Sequence, residues 1–97
     1  MIISFKDVGT EEVYYGADTF AARRACPRQI WEVARRKLAW LAAARTLTDL
    51  RVPPANRLEA LKGDRKGQHA IRINDQYRLC FRWTRLGAED VEIVDYH

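Results

Sequence analysis

The apolar residues of the middle of the chain follow a helical period. Between Pro27 and Arg45, charged residues occupy one side and apolar residues recur on the other, at Ile30, Ala34, Leu38 and Leu41. This spacing is typical of an amphipathic helix, and proline is favoured at the first helical position. The sequence therefore predicts one long helix that runs from Pro27 to about Arg45.

Two shorter elements are predicted before this helix. The run Ile2–Phe5 is rich in β-prone residues and predicts a strand. Thr10 precedes two glutamates and a run of apolar residues, which is typical of a capped helix start, and Gly16 supplies a stop signal.

After the prolines at 53 and 54 the period changes to two. His69–Ile73 and Tyr77–Trp83 alternate between apolar and polar residues, and a turn sequence separates them. A short strand or turn is predicted between Leu58 and Gly63, and Val91–Val94 is predicted as the last strand. The turns between these late strands are short, so the strands pair antiparallel.

These elements together predict an α+β fold in which two N-terminal helices pack on one face of a small antiparallel sheet. The apolar face of the hairpin meets the helices. The other face keeps a row of arginines in solvent, namely Arg72, Arg78 and Arg82.

Length and composition restrict the class of protein. A chain of 97 residues with 47% hydrophobic residues allows a single domain, which we place at 1–97. No run approaches the ~20 apolar residues that a membrane-spanning helix needs, and no signal peptide is present at the start, so we expect a soluble, cytoplasmic protein without a membrane partner. Two distant cysteines and two histidines do not make a metal-binding pattern, so no metal or other cofactor is expected, and Cys26 and Cys80 are expected to be reduced, partly buried thiols.

The charge is distributed unevenly along the chain. Lys and Arg number 17 and Asp and Glu 13, and thirteen of the basic residues are arginine, whose planar fork suits phosphate recognition. The basic residues are concentrated between 21 and 85, and both ends of the chain are acidic. This pattern favours a polyanionic partner and an ordinary solvated basic face about equally.

Basic residues fall into three clusters. The first is most simply a solvated helix face, and consists of Arg23, Arg24, Arg28, Arg35, Arg36 and Lys37. The second surrounds two glycines in a flexible turn that lacks the spacing of a phosphate-binding P-loop, and consists of Arg57, Lys62, Arg65 and Lys66. The hairpin row is the third cluster and the better candidate for phosphate contact, because strands position side chains more rigidly than loops.

The chain ends on a carboxylate, a phenol and an imidazole, in Asp95-Tyr96-His97. A frayed terminus is the usual interpretation of such a tail. Here the tail directly follows a predicted strand, so the edge of a sheet could also hold these groups as a catalytic set.

Three blocks of the sequence resemble the HigB branch of the RelE-type toxins: Leu58–Arg65, with its L-K-G-D-R motif, Ile71–Trp83, with I-R-I-N-D-Q-Y-R, and Val91–His97, with its final D-Y-H. The resemblance covers the whole chain and is strongest from Pro53 onward. It implies a compact α+β toxin that enters the ribosomal A site of bacteria and cuts mRNA there. It also implies a cognate helix-turn-helix antitoxin, similar to HigA, that neutralises the toxin and represses their shared operon.

The resemblance also assigns residues to an active site. Asp95, Tyr96 and His97 match the acidic, phenolic and imidazole groups at the terminus, while Lys62 and Arg78 match its basic residues, with Arg78 at the scissile phosphate. A histidine that some members carry shortly before the lysine is absent here, so Glu59 is a further candidate for proton transfer. Contacts to RNA are expected from the remaining basic residues of the second and third clusters, which are Arg57, Arg65, Lys66, Arg72 and Arg82.

A metal-free ribonuclease needs a base for the 2′-hydroxyl, positive charge at the phosphate and an acid for the 5′-oxygen. We assign the positive charge to Arg78 with help from Lys62, and proton transfer to His97 with Asp95 as its partner. Tyr96 is expected to stack on or orient a base. The identity of the base stays open between His97, Asp95 and Glu59.

Three other classes of function remain open on the sequence. The chief alternative is a non-catalytic regulator that binds nucleic acid through the arginine-lined face. An enzyme acting on a small anionic substrate and a purely structural domain are further alternatives. Removal of the last three residues distinguishes the nuclease from the regulator, because a binding protein would keep its affinity and a nuclease would lose cleavage.

Overall fold

The computed structural model describes residues 1–96, and the described chain forms an α+β fold with its helices first and its sheet last. The helices are α1 (Val8–Tyr15), α2 (Phe20–Ala25) and α3 (Trp31–Ala43). The strands are β1 (Glu59–Ala60), β2 (His69–Arg72), β3 (Tyr77–Trp83) and β4 (Ala88–Asp95). The strands pair antiparallel in the order β1-β2-β3-β4, so the predicted fold class is confirmed.

The first helix begins earlier than predicted. Its N-cap is Asp7, whose carboxylate accepts a hydrogen bond from the backbone N–H of Thr10 at 2.6 Å. Gly16 ends α1 in the left-handed conformation at φ 81°, as predicted. The expected capping residue, Thr10, is instead fully buried inside the helix.

The second helix, α2, is an addition to the two that were predicted. Thr19 caps it by accepting from the backbone N–H of Ala22 at 3.1 Å, but six residues are too few to show a helical period in the sequence. It packs closely against α1, since a Cβ on Gly9 would lie 2.4 Å from the carbonyl oxygen of Ala21. Glycine at this position is what allows the two helices to approach each other.

The predicted long helix is shorter than expected. Pro27 is extended, a single 3₁₀ turn follows at Arg28–Ile30, and α3 runs from Trp31 to Ala43. Its apolar side meets the sheet, where Ile71, Leu79 and Ile93 lie opposite one another in register and are buried. Members of the same core cluster from the helices include Val13, Leu38 and Leu41.

The segment predicted as the first strand lies beside β4 but makes only two isolated parallel bridges, Ile2 to Ala88 and Phe5 to Val91. Between these two bridges the partner backbone is interrupted by a positive φ of 52° at Asp90. Further along β4, the backbone N–H of Ile93 donates to the hydroxyl of Thr10 at 3.0 Å. The Thr10 side chain thus accepts a hydrogen bond that a neighbouring strand would otherwise accept at this edge of the sheet.

We expect Thr10→Val to lower the free energy of unfolding by about 1–3 kcal/mol, because the buried N–H of Ile93 would lose its acceptor while the side-chain volume stays nearly the same. Chemical denaturation of the two proteins measures this difference. Thr10→Ser keeps the hydroxyl and is the matched control. Equal stability of the Val variant and the wild type would show that the hydroxyl is not required at this edge.

The face of the sheet opposite the helices is less open than predicted. Ala70 and Cys80 on this face are fully buried. The 3₁₀ turn Gly63–Arg65, between β1 and β2, crosses the face and brings the Arg65 guanidinium 2.7 Å from the Glu92 carboxylate on β4. We call this surface the polar face. Among residues 1–96, no helix is long and apolar enough to cross a membrane.

Candidate active site on the polar face

The register of the sheet places a row of side chains on the polar face. Glu59 lies opposite Ala70, Ala70 opposite Cys80, and Cys80 opposite Glu92. Side chains of directly paired residues lie on the same face of a sheet. The row therefore has a carboxylate at each end, Glu59 on β1 and Glu92 on β4, and the buried residues Ala70 and Cys80 lie between them.

Arg78 and Tyr96 form the next part of this face. The Arg78 guanidinium lies over the Tyr96 ring at 5.6 Å from its centre, a distance typical of a cation–π contact. Its Nη1 also donates to the carbonyl oxygens of Asn74 and Tyr77, the latter at 3.2 Å. The backbone N–H of Tyr96 donates to the carbonyl of Gln76 at 2.6 Å. The hairpin turn thus fixes both the arginine and the tyrosine that the sequence placed in the active site.

The charges around Tyr96 show which groups face it. Partial burial raises the pKa of the phenol, the Cys80 and Glu59 groups raise it further, and the positive charges of Arg65 and Arg78 oppose this. The phenol is therefore protonated at neutral pH and can donate a hydrogen bond. Arg78 and Tyr96, both predicted site residues, are in contact on the polar face, and Glu59, a third predicted residue, lies on the same face.

Cys80 lies at the centre of this face, and the sequence analysis gave it no role in the site. Burial raises the pKa of its thiol to about 11, so it is a neutral thiol at physiological pH. Cys26, on the helix side, is also buried, and burial raises its pKa to about 11. Neither thiol has the lowered pKa of a nucleophilic cysteine.

Glu92 is a second residue that the sequence analysis missed. Its carboxylate accepts from Arg65 at 2.7 Å and lies 3.9 Å from the ammonium of Lys6. Arg65 also donates to the side-chain oxygen of Gln68 at 3.0 Å. The hydrogen bond to Glu92 is the main cause of the raised pKa of Arg65. Alternation could have revealed Glu92, which lies between buried Val91 and Ile93 and so belongs to the polar face.

The other basic residues predicted for the site, Lys62 as a catalytic residue and the rest as RNA contacts, lie around this centre. Lys62 and Lys66 are exposed at the two ends of the Gly63–Arg65 turn. Arg82 is exposed, with its Nε 3.7 Å from the carboxylate of Asp90. The remaining two, Arg57 and Arg72, lie near Asp75: Arg72 forms an ion pair with it, and both charges lower the pKa of its carboxyl.

Asp95 is not brought together with Arg78 and Tyr96. Consecutive residues of a strand point to opposite faces, and Asp95 lies opposite Tyr77 on the face that carries the helices. There it lines a cleft with Asp7 and Arg24, and its carboxylate accepts from the Gln76 amide at 3.1 Å. His97, the third member of the predicted terminal set, lies outside the described residues.

Lys66 and Arg65 were both predicted to contact RNA, but Lys66 is exposed and Arg65 is bound to Glu92. We expect Lys66→Ala to reduce the slope of the logarithm of ribosome affinity against the logarithm of salt concentration by about one, because a solvated lysine at a phosphate releases about one counterion. Arg65→Ala would also remove the hydrogen-bond donor of the largely buried Glu92 carboxylate, so we expect it to lower the free energy of unfolding by about 1–3 kcal/mol. Binding titrations across salt concentrations and denaturation curves measure the two effects. An unchanged slope for Lys66→Ala would place this lysine outside the interface.

Among residues 1–96, no group of three histidine, cysteine, aspartate or glutamate side chains is arranged to hold a metal ion. The polar face instead presents guanidinium, phenol and carboxylate groups. Such groups can bind a phosphate, donate hydrogen bonds to it and transfer protons.

The sequence matches a known protein family over nearly its whole length. The sequence model of the RelE-like toxin HigB, of type II toxin–antitoxin systems, matches residues 3–97. The chain therefore belongs to the HigB-like family of RelE-like toxins. A toxin of this class implies an antitoxin partner.

Two relatives are similar to the chain over most of its length. The chain is 43% identical over 84 residues to Toxin HigB-1 of Vibrio cholerae serotype O1, a match that covers 87% of this chain and 85% of the relative. It is 35% identical over 79 residues to an uncharacterized protein of Haemophilus influenzae, covering 81% of this chain and 75% of that protein.

Proposed function

We propose that this toxin is a ribosome-dependent, metal-free endoribonuclease that cleaves mRNA in the ribosomal A site and so stops translation in the bacterial cytoplasm. The observation that carries the proposal is the fixed pair of Arg78 and Tyr96, with Glu59 on the same face of the sheet. This arrangement provides a cation for a phosphate, an aromatic ring for a base and a carboxylate on the face that carries both.

The reaction proceeds by attack of the 2′-hydroxyl oxygen on the adjacent phosphorus. A base takes the hydroxyl proton, the bond from phosphorus to the 5′-oxygen breaks, and an acid protonates that oxygen. Arg78 stabilises the negative charge that develops on the phosphate, which is commonly the largest catalytic term. Lys62, exposed just before the Gly63–Arg65 turn, adds positive charge beside the site, and His97 transfers a proton. Asp95 is the proposed partner of His97, and Glu59 is the alternative base on the polar face.

The position of Arg78 and Tyr96 supports a requirement for the ribosome. Neither residue lines the cleft along α1, α2 and β4, the cleft beside β1 or the cleft near the Thr84–Gly87 turn. A site outside these clefts orders a flexible RNA poorly, and correct orientation contributes a large part of enzymatic rate. The ribosome supplies that order by holding the codon against the toxin.

The proposed partners are the bacterial ribosome, mRNA and a HigA-like helix-turn-helix antitoxin. The excess of arginine supports binding to RNA, because phosphate contacts dominate the affinity of proteins for nucleic acids. The antitoxin is proposed to neutralise the toxin and to repress their shared operon.

Cleavage of mRNA by the purified protein tests this function directly. We expect cuts in mRNA on translating ribosomes, little cleavage of naked RNA, and no effect of EDTA at a concentration that spares the ribosome. In cells, expression of the toxin should stop growth, and co-expression of the antitoxin encoded beside it should restore it. Equal cleavage of naked and ribosome-bound RNA would contradict the dependence on the ribosome.

Removal of residues 95–97 separates the nuclease from a regulator that only binds nucleic acid. The nuclease should lose cleavage and keep its affinity for ribosomes. A wild-type protein that binds ribosomes, is folded and leaves both mRNA and growth intact would favour the regulator.

A further inference from the structure

A cleft that the proposed reaction does not use lies beside β1, the strand at one edge of the sheet. Its volume is about 170 Å³. One wall is the 3₁₀ turn Leu47–Arg51, which follows α3, and the other is formed by β1 and the start of β2. We call it the β1 cleft. Its lining is partly apolar and partly polar, and includes Leu47, Leu58, Ala60, Thr48, Arg51 and His69.

His69 lines this cleft and has no role in the proposed reaction. Its ring stacks on the fully buried Phe81, with the ring centres 6.4 Å apart and the ring planes at 23°. Within residues 1–96, its Nδ1 is enclosed and has no hydrogen-bond partner. A neutral imidazole carries one N–H, and its placement on Nε2 leaves only a lone pair enclosed, which proteins tolerate better than an enclosed N–H without an acceptor. Nε2 is therefore the nitrogen that can donate to a ligand in the cleft.

The backbone of Arg51 is fixed by hydrogen bonds to its neighbours. The side chain of Asn56 donates to the carbonyl oxygens of Leu50 and Val52, at 3.1 and 3.4 Å, on the two sides of Arg51. Asn56 in turn accepts from the buried ammonium of Lys37 on α3 at 2.5 Å. Arg51 itself is exposed, and within residues 1–96 its guanidinium has no hydrogen-bond or ion-pair partner. Its N–H donors are thus positioned by the wall of the cleft and available to a ligand.

The size and the lining of the β1 cleft fit one ring of a larger molecule. Sites that enclose a whole small-molecule ligand measure ~300–1,000 Å³, so this cleft is too small for one. Its apolar residues suit the faces of a flat ring, while His69 and Arg51 supply N–H donors for acceptors on the edge of that ring. Proteins bind the bases of single-stranded RNA in this way. Guanine fits best, because its O6 and N7 are neighbouring acceptors that arginine can bind together.

The β1 cleft lies next to the polar face and shares a residue with it. Glu59 lines the cleft and also lies on the polar face, because it is paired with Ala70, whereas His69 precedes Ala70 and lies on the opposite face. Glu59 and Arg78 are two strand spacings apart across the sheet and two residues apart along it, which is ~12 Å. A few nucleotides of RNA span this distance around the edge of β1.

We propose that the β1 cleft binds a guanine base of RNA a few nucleotides away from the phosphate at Arg78, with His69 and Arg51 donating to the edge of the base. This inference rests on the proposed function for the identity of the ligand. A base held in the cleft fixes the register of the RNA on the polar face, and it therefore makes the position of the cut depend on sequence.

Guanosine 5′-monophosphate (GMP) is the first probe of this site, because it needs neither ribosome nor cleavage. We expect GMP to shift the amide NMR signals of β1 and ribose 5-phosphate, which lacks the base, to leave them unchanged. Arg51→Gln should weaken GMP binding about tenfold or more, and His69→Phe about threefold or more, since they remove a charged and a neutral donor. Arg85→Gln, an equal charge change in the exposed turn after β3, is the matched control and should bind GMP within about twofold of wild type.

The His69→Phe variant also separates binding from folding. It keeps a ring against Phe81 and removes a nitrogen that has no partner within residues 1–96, so its melting temperature should not fall. Cleavage maps then identify the source of the guanine. Loss of a guanine preference at a fixed distance from the cut in both variants identifies mRNA, and weaker binding of both variants to vacant ribosomes identifies ribosomal RNA.

Several results would overturn the proposal. These are equal effects of GMP and ribose 5-phosphate, binding of adenosine 5′-monophosphate as tight as that of GMP, and GMP binding that persists in both variants. Signals of β1 that respond to the antitoxin but not to GMP would assign the cleft to that protein instead. A wild type that binds GMP through His69 and Arg51 but leaves mRNA intact would contradict the proposed function and leave this site standing.

Discussion

Arg78→Ala should lower the rate of mRNA cleavage by ~10²-fold or more while ribosome affinity changes by less than about threefold. The reason is that Arg78 meets charge that grows only in the transition state, so its loss affects the rate more than the binding. Single-turnover cleavage of ribosome-bound mRNA measures the rate, and sedimentation with ribosomes measures the affinity.

The contacts of Arg78 with the hairpin turn require a control for folding. Its guanidinium donates to the carbonyls of Asn74 and Tyr77, so a melting curve of the variant must accompany the kinetics. Arg85→Gln is the matched change of charge and should cut at the wild-type rate. A folded Arg78→Ala protein that cuts within a few-fold of wild type would remove Arg78 from the catalytic role.

His97→Ala is expected to have a comparably large effect, a loss of ~10²-fold or more, because positioned proton transfer contributes ~10²–10⁴ to a rate. This variant should differ from Arg78→Ala in its pH dependence. A histidine titrates at about 6.5, so its removal should abolish the inflection of the rate in that region. Rates measured from pH 5 to 9 on ribosomes show whether the inflection is lost.

If His97→Ala keeps the wild-type rate and pH profile, another group is the base, and the structure ranks the two candidates. Glu59 shares the polar face with Arg78 and Tyr96, whereas the side chain of Asp95 lies on the face of the helices. We then expect Glu59→Gln to abolish cleavage and Asp95→Asn to reduce it less. A larger effect of Asp95→Asn than of Glu59→Gln would instead place the RNA closer to the face of the sheet that carries the helices.

The sequence by itself determined the α+β class, the antiparallel order of the late strands and the faces of the hairpin. Period-two alternation put Leu79 inside and Arg78 on the opposite face, and short turns excluded parallel pairing. The family motifs selected Arg78 and Tyr96, which the fold brings into contact, and the absence of a family histidine pointed to Glu59, which lies on the same face. Local pattern was sufficient for the strands and their faces because these features depend on neighbours within one strand or one hairpin.

Only the tertiary structure decided the features that depend on partners distant in sequence. Thr10 is a buried acceptor for β4 because that edge lacks a regular strand, and Arg65 is bound to Glu92 because the turn crosses the sheet. Lys37 is buried because the loop that carries Asn56 covers the middle of α3. In each case a polar residue has the pattern of a surface position, and its environment is set by a segment at least 19 residues away that no helical or strand period can indicate.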